Sequence, residues 1–268
     1  MGIRALPRML GRMIQMLAVC SFLALPQLSQ AACTLGLVDR NPEIVPVSFT
    51  QRDVAVSLRW LGHSSFLLTT PGGTSVVMDP IGRGRLSSPP TAVTVSNRHP
   101  THSNVAAVPG NPVILWGVKD GRWQPVEVTL RDLRIFNVES NVGAEPSLGE
   151  NSVFVFEWNG LCIAHLGNLR HKLTPEMMNS MGKIHVVLIP ISWAVELARI
   201  LEVIGQLRPA VAIPMHFDSI EVVERFVSTI AGKYPVRRYR EDFVLLTRNR
   251  LPASTEIFIL GSPAGREQ

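Results

Sequence analysis

The hydrophobic period of this chain changes once along its length, and that change constrains the fold more than any other feature. Through about residue 165 the apolar residues come in short runs of strand character. Val54 to Trp60 alternates apolar with polar, Ser65 to Thr69 follows, and Pro71, Gly72 and Gly73 turn the chain into the apolar run Ser75 to Met78. Ala92 to Val95 is a further strand. Val153 to Trp158 and Leu161 to Ala164 flank the two-residue turn Asn159-Gly160, the strongest short-range hairpin signal. Beyond residue 184 the pattern alters. Ile184 to Ile189 is nearly continuous apolar, Ala194 to Leu207 has helical spacing, and Ala210 to Ile213 is apolar again before Pro214, which reads as strand, helix, strand. A later helix is expected from Ile220 to Ala231, with Val222, Val223, Phe226, Val227 and Ile230 on one side. An antiparallel meander followed by a strand–helix–strand unit predicts an α/β sandwich with helices outside. With 46% hydrophobic and 18% charged residues, the chain can fill such a core, and no repeat or linker divides it.

The N-terminus has a different character. Arg4, Arg8 and Arg12 precede an apolar run from about Met13 to Leu28, then come the small residues Ser29, Ala31 and Ala32. This is the layout of a secretory signal peptide, expected to span residues 1–31, with one domain over 32–268 and a periplasmic or secreted destination. Gln15 and Pro26 interrupt an already short apolar run, so no stable membrane span is expected after cleavage. Cleavage would remove Cys20 and leave Cys33 and Cys162, which can pair in an oxidising compartment or remain as separate buried thiols. The leader also holds three of the 26 Lys and Arg, set against 21 Asp and Glu, so the mature domain is nearly neutral. A general polyanion binder needs clustered uncompensated cations, and the one cluster, Arg237, Arg238 and Arg240, runs directly into Glu241 and Asp242. No nucleic-acid partner is expected. The sequence sets no oligomeric state.

Four of the seven histidines fall just after expected strands: His99 and His102 after Val95, His165 after Ala164, and His216 after Ile213. Strand ends at one edge of a sandwich can bring such residues together, and neutral imidazole is the commonest metal ligand in proteins. His185 opens an apolar strand and reads as structural.

Longer motifs then carry a resemblance. Trp60-Leu61-Gly62-His63-Ser64-Ser65-Phe66, Asp79-Pro80, Asn151-Ser152-Val153-Phe154-Val155-Phe156-Glu157, Ile163-Ala164-His165-Leu166-Gly167-Asn168-Leu169-Arg170-His171 and Ile213-Pro214-Met215-His216-Phe217 occur in this order. The chain resembles the metallo-β-lactamase superfamily, in the branch similar to ascorbate-6-phosphate lactonases and uncharacterised metal-dependent hydrolases. The resemblance implies a single-domain αββα sandwich. It also aligns the family's His-x-His-x-Asp-His motif with Asn97-Arg98-His99-Pro100-Thr101-His102, so Asn97 stands at a histidine position and Thr101 at the aspartate. His165 and His216 stand at the remaining ligand histidines, and Asn168 at the bridging aspartate.

Three ligand positions are therefore altered, both carboxylates among them. Two dications at close range need carboxylates to offset their repulsion, and neutral imidazoles supply none. The expectation is one divalent transition metal at most, with zinc the best match, held by His99, His102, His165 and His216 or three of these. Asp79 resembles the family's supporting aspartate, which fixes a histidine tautomer. Asn168, Asp79 and His63 are the candidate catalytic residues, and His171 and Trp193 are expected to border the cleft. The expected activity is hydrolysis of an ester, lactone or phosphodiester-type small molecule by activated water. The alternative is a catalytically inactive relative that keeps the fold as a ligand- or metal-binding module.

Overall fold

A computed structural model describes residues 2, 54–84, 86–140, 150–192 and 196–261. By compactness the chain divides at Gln30 and Ala31, and apart from Gly2 every described residue lies in the second unit. The expected leader, Cys33 and Trp193 lie outside the described residues.

The chain begins with β1 (Val56–Gly62), β2 (Ser65–Thr69), β3 (Ser75–Met78) and β4 (Ala92–Val95), then a one-turn helix α1 (Pro100–Ser103). Next come β5 (Val113–Trp116), the short pair β6 (Val118–Lys119) and β7 (Arg122–Trp123), then β8 (Glu127–Leu130), β9 (Leu133–Ser140), β10 (Asn151–Trp158) and β11 (Leu161–His165). The remainder alternates: α2 (Pro175–Met181), β12 (Val186–Pro190), α3 (Leu197–Leu207), β13 (Val211–Met215) and α4 (Ile220–Ile230), then β14 (Val236–Arg238), β15 (Phe243–Leu246) and β16 (Glu256–Ile259).

Two sheets result. One runs β15-β1-β2-β3-β4-β5 and the other β14-β16-β13-β12-β11-β10-β9-β8. The core lies between them and follows the period of two expected of strands: Phe154 and Phe156 of β10 and Leu161 and Ile163 of β11 face the first sheet. Their neighbours Val153, Val155, Cys162 and Ala164 face the helices. Each fully buried Leu or Phe contributes about 1.5–3 kcal/mol. On α3, Ile200, Val203, Ile204 and Leu207 are buried at i, i+3, i+4 and i+7, the stripe that docks a helix on a sheet. Mixed sheets clad by helices match the expected α/β sandwich. Over the outer face of the first sheet the described cover is thin, with Leu86, Val105 and Val108 packing on Leu61, Val77, Val93 and Val95.

The hairpin joining β10 and β11 forms as expected, with Trp158 opposite Leu161 and left-handed Asn159 and Gly160 (φ 44° and 72°) in the turn. Two details differ from the sequence reading. The first part is not wholly antiparallel, because β4 pairs in parallel with both β3 and β5. The strand expected to stop at Ile213 continues through Pro214 to Met215, with Pro214 opposite Ile189. Among the described residues, no helix is long and apolar enough to cross a membrane.

Candidate metal centre

The strands deliver their polar ends to one edge of the sandwich. The turn after β1 carries His63, β3 leads into Asp79, β4 leads into Ser96, β11 ends in His165 and β13 leads into His216. Backbone hydrogen bonds hold the pieces together: His216 N–H donates to His63 O at 2.9 Å, and Ser152 N–H to Ser96 O at 2.9 Å. His63, Asp79 and His216 all take left-handed backbone conformations, with φ of 52°, 44° and 62°. Residues other than glycine adopt that region at a cost, and where they do so the surrounding structure must enforce it.

Three histidines meet there. His63, His102 and His216 each offer a ring nitrogen such that the three atoms lie within 4.8 Å of one another. The rings of His63 and His216 stand 4.2 Å apart, and those of His102 and His216 5.0 Å. His102 Nδ1 lies 2.6 Å from Asp79 Oδ2. Asp79 is completely buried and also accepts the Ser96 N–H at 2.7 Å and the Ser96 hydroxyl at 2.5 Å. Burial pushes the Asp79 carboxyl up, but His102, His165 and the Ser96 hydroxyl together outweigh this and hold it below the usual carboxylate range. An ionised Asp79 fixes the proton of His102 on Nδ1, so His102 presents the lone pair of Nε2 to its neighbours. His63 repeats the device: its Nδ1 lies 3.2 Å from Asp218 Oδ1, while its Nε2 is buried with no hydrogen-bond partner among the described residues.

The donor set suits one ion. His102 Nε2 and His216 Nε2 are 3.0 Å apart, close to the roughly 3.3 Å that tetrahedral bonds of about 2.0–2.1 Å to zinc require. Burial, then the nearby His102 and His63, push the His216 imidazole down to about 3. Burial likewise lowers His63 in spite of Asp218. Both rings are thus neutral at ordinary pH, the protonation state of a ligand. His63 Nε2 and His216 Nδ1 are polar atoms in buried surroundings that lack partners among the described residues.

Of the four histidines expected to bind metal, the structure brings only His102 and His216 into this group, and His63 joins them. His99 is exposed at the N-cap of α1, where its Nδ1 pairs with Thr101 Oγ1 at 2.8 Å. The Thr101 hydroxyl is spent on that contact. His165 is buried with both nitrogens engaged: Nε2 donates to Ser64 O at 2.8 Å, and Nδ1 accepts the Gly167 N–H at 3.1 Å. It therefore anchors the turn that carries His63. Asn97 and Asn168 are tied to Asn151, whose Oδ1 takes the Asn97 amide at 3.5 Å and the Asn168 N–H at 2.9 Å. His171 is buried against Lys172 O, and His185 accepts the Cys162 N–H at 3.0 Å through Nδ1. Cys162 itself is disulfide-bonded.

Sequence reasoning placed His63 among the candidate catalytic residues and not among the metal ligands, although it follows β1 by one residue. Asp218 was missed; its signal is an acid two residues beyond His216. Two cavities involve the residues named above. One of about 240 Å³ is lined by Trp60, His63, Arg83, Phe217, Asp218 and Val223, among others. The other, about 600 Å³, opens beside His99 and Asn168.

This combination of a two-sheet sandwich and histidines gathered at one strand edge defines a class, and comparison with known proteins names it. The profile of the β-lactamase superfamily domain matches residues 57–216, and the chain belongs to that family. A metal-dependent hydrolase of Archaeoglobus fulgidus is 23% identical over 202 residues, covering 63% of this chain and 87% of the relative. Among solved structures, a Thermotoga maritima protein provisionally assigned as a Zn-dependent hydrolase of the metallo-β-lactamase superfamily superposes with a TM-score of 0.60 at 25% identity. It matches 76% of this chain and 98% of its own. A provisionally assigned metal-dependent hydrolase of Parabacteroides distasonis shares the fold, with a TM-score of 0.57 at 13% identity over 80% of this chain and 97% of its own.

Proposed function

We propose that this protein is an exported metal-dependent hydrolase holding at most one divalent transition metal, zinc, through His63, His102 and His216, and acting on an ester, lactone or phosphodiester-type small molecule. The observation that carries the reading is the convergence of three imidazoles, two of them backed by carboxylates that turn a ring lone pair inward. When bound, the ion supplies Lewis acidity and lowers the pKa of a water. The protein's part is positional. Asp79 and Asp218 hold the Nδ1 protons of His102 and His63, and His165 fixes the turn beneath His63. Among the described residues no carboxylate belongs to the histidine group, which supports one ion rather than two. Arg237 and Arg238 pair with Glu256 and Glu224, in keeping with a small-molecule substrate instead of a nucleic acid. Export rests on the charged, apolar and small-residue order of residues 1–32.

Elemental analysis of the mature protein after zinc reconstitution and dialysis tests the site. A stoichiometry near one is expected, abolished by His63→Ala or His216→Ala and retained by His99→Ala. Two ions per chain would overturn the charge argument. No uptake at all would favour the non-catalytic binding module. A hydrolase panel on the zinc-loaded and chelated forms reads activity, and N-terminal sequencing of protein recovered from its host reads cleavage between Ala31 and Cys33.

A further inference from the structure

The larger cavity is lined by Asn97, Arg98, His99, Glu150, Asn168 and Arg170, among others. It lies where the family's pattern would place the first half of a two-metal centre, yet its chemistry is reversed. Its acid positions are neutral, and two guanidinium groups line it against one carboxylate, that of Glu150. Among the described residues, no carboxylate stands within ion-pair distance of Arg98 or Arg170.

Arg170 is positioned for use. Its Nε donates to Asn168 Oδ1 at 3.3 Å, so the terminal nitrogens of the fork have no partner among the described residues. Asn168 is held in turn through its backbone N–H by Asn151 Oδ1. The Asn168 side-chain NH₂ also lacks a partner among the described residues. Arg170 is half-buried and lines the same cavity as His99, whose ring stands 6.4 Å from that of His102 in the histidine group. A guanidinium backed by a neutral amide is unpaired positive charge, and its planar fork matches the oxygens of a carboxylate or phosphate.

We propose that Arg98 and Arg170, with the side-chain amide of Asn168, form a subsite for an oxyanion, the carboxylate or phosphoryl group of a substrate whose reacting bond lies at the three-histidine group. Its role as a substrate subsite rests on reading that group as the hydrolytic centre; the anion binding itself needs no metal.

The test is a titration of inorganic phosphate and, separately, acetate into the mature protein, followed by amide NMR, with metal-free and zinc-loaded samples. Metal-free wild type should bind one of the two, and the tighter binder names the group. Arg170→Gln should weaken binding about tenfold or more and Arg98→Gln severalfold, while Arg170→Lys, which keeps charge but loses the fork, should fall between. Zinc uptake should be unchanged in all three variants. The subsite is overturned if metal-free wild type binds neither anion, or if both Gln variants bind as wild type does. Anion binding without any zinc uptake would leave the subsite standing and remove the metal reading; zinc uptake without anion binding would do the reverse.

Discussion

Replacing Asp79 by Asn removes one charge from the centre while changing almost nothing else. Asn tolerates the left-handed backbone that Asp79 adopts (φ 44°), and the side chains are nearly isosteric. Three donors point at the carboxylate: the Ser96 N–H, the Ser96 hydroxyl and His102 Nδ1–H. An amide cannot accept all three. With its NH₂ toward the Ser96 backbone, a buried peptide donor is left without an acceptor. With its NH₂ toward His102, the imidazole must shift its proton to Nε2, which faces His216 and then has no lone pair to offer. A charge-assisted hydrogen bond contributes about 1.5–3 kcal/mol and an unsatisfied buried donor costs about 1–3 kcal/mol, less the relief of no longer burying a charge. The expected loss is about 3 kcal/mol, or about 6–12 °C in Tm for a domain of this size. Zinc affinity should fall about 10–100-fold. The folded pKa of Asp79 is depressed, so its contribution is present above the carboxylate range and lost as pH falls through it. The stability gap between wild type and Asp79→Asn, read by urea unfolding, should therefore narrow below about pH 4. A variant with wild-type Tm at pH 7 and unchanged zinc affinity would refute this account of Asp79.

Gly167 sits at φ 60°, and a Cβ there would lie 2.4 Å from Asn151 Oδ1 and 2.7 Å from Ser96 Oγ, so Gly167→Ala should cost about 2–4 kcal/mol in urea unfolding. His185 is pushed down to about 4, chiefly by burial and then by Arg248 and Lys183. A histidine with a depressed folded pKa favours folding above its unfolded value of about 6.5 and loses that contribution as pH falls toward 4. Urea midpoints of wild type should decline over that window more steeply than those of His185→Leu, which should be less stable at pH 7 because the Cys162 N–H loses its acceptor.

Local signals carried much of this fold. The Asn159-Gly160 hairpin was legible because a two-residue turn of that kind demands positive φ, which those two residues tolerate. The stripes of α3 and α4 were legible because each helix buries one face on a sheet. The parallel pairing of β4 was not, since an all-apolar four-residue strand gives no hint of its neighbours' direction. Edge strands such as β8 and β14 bury too little to leave a pattern. At the centre, residue type and strand-end position identified His102, His216 and Asp79. Ring direction decided the rest. The sequence favoured His165 over His63 as a ligand, but the first turns both nitrogens to backbone partners and the second keeps Nε2 without a partner among the described residues. Arg98 and Arg170 carried no signal as isolated cations, because their significance comes from the acids absent around them.

The left-handed backbone at His63, Asp79 and His216 bears on how this protein would respond to selection. Each position holds a conformation that costs a residue with a Cβ of order 1–3 kcal/mol and that glycine adopts freely. A library screened for thermal resistance alone would be rewarded for glycine at half-buried His216, where the least packing is lost, but not at buried Asp79, whose carboxylate satisfies three buried donors. The same winners would lose a ring nitrogen. Heat tolerance and metal uptake should therefore trade against each other at the His216 codon, and a consensus drawn from thermally selected variants would erode the centre before it disturbed the sandwich.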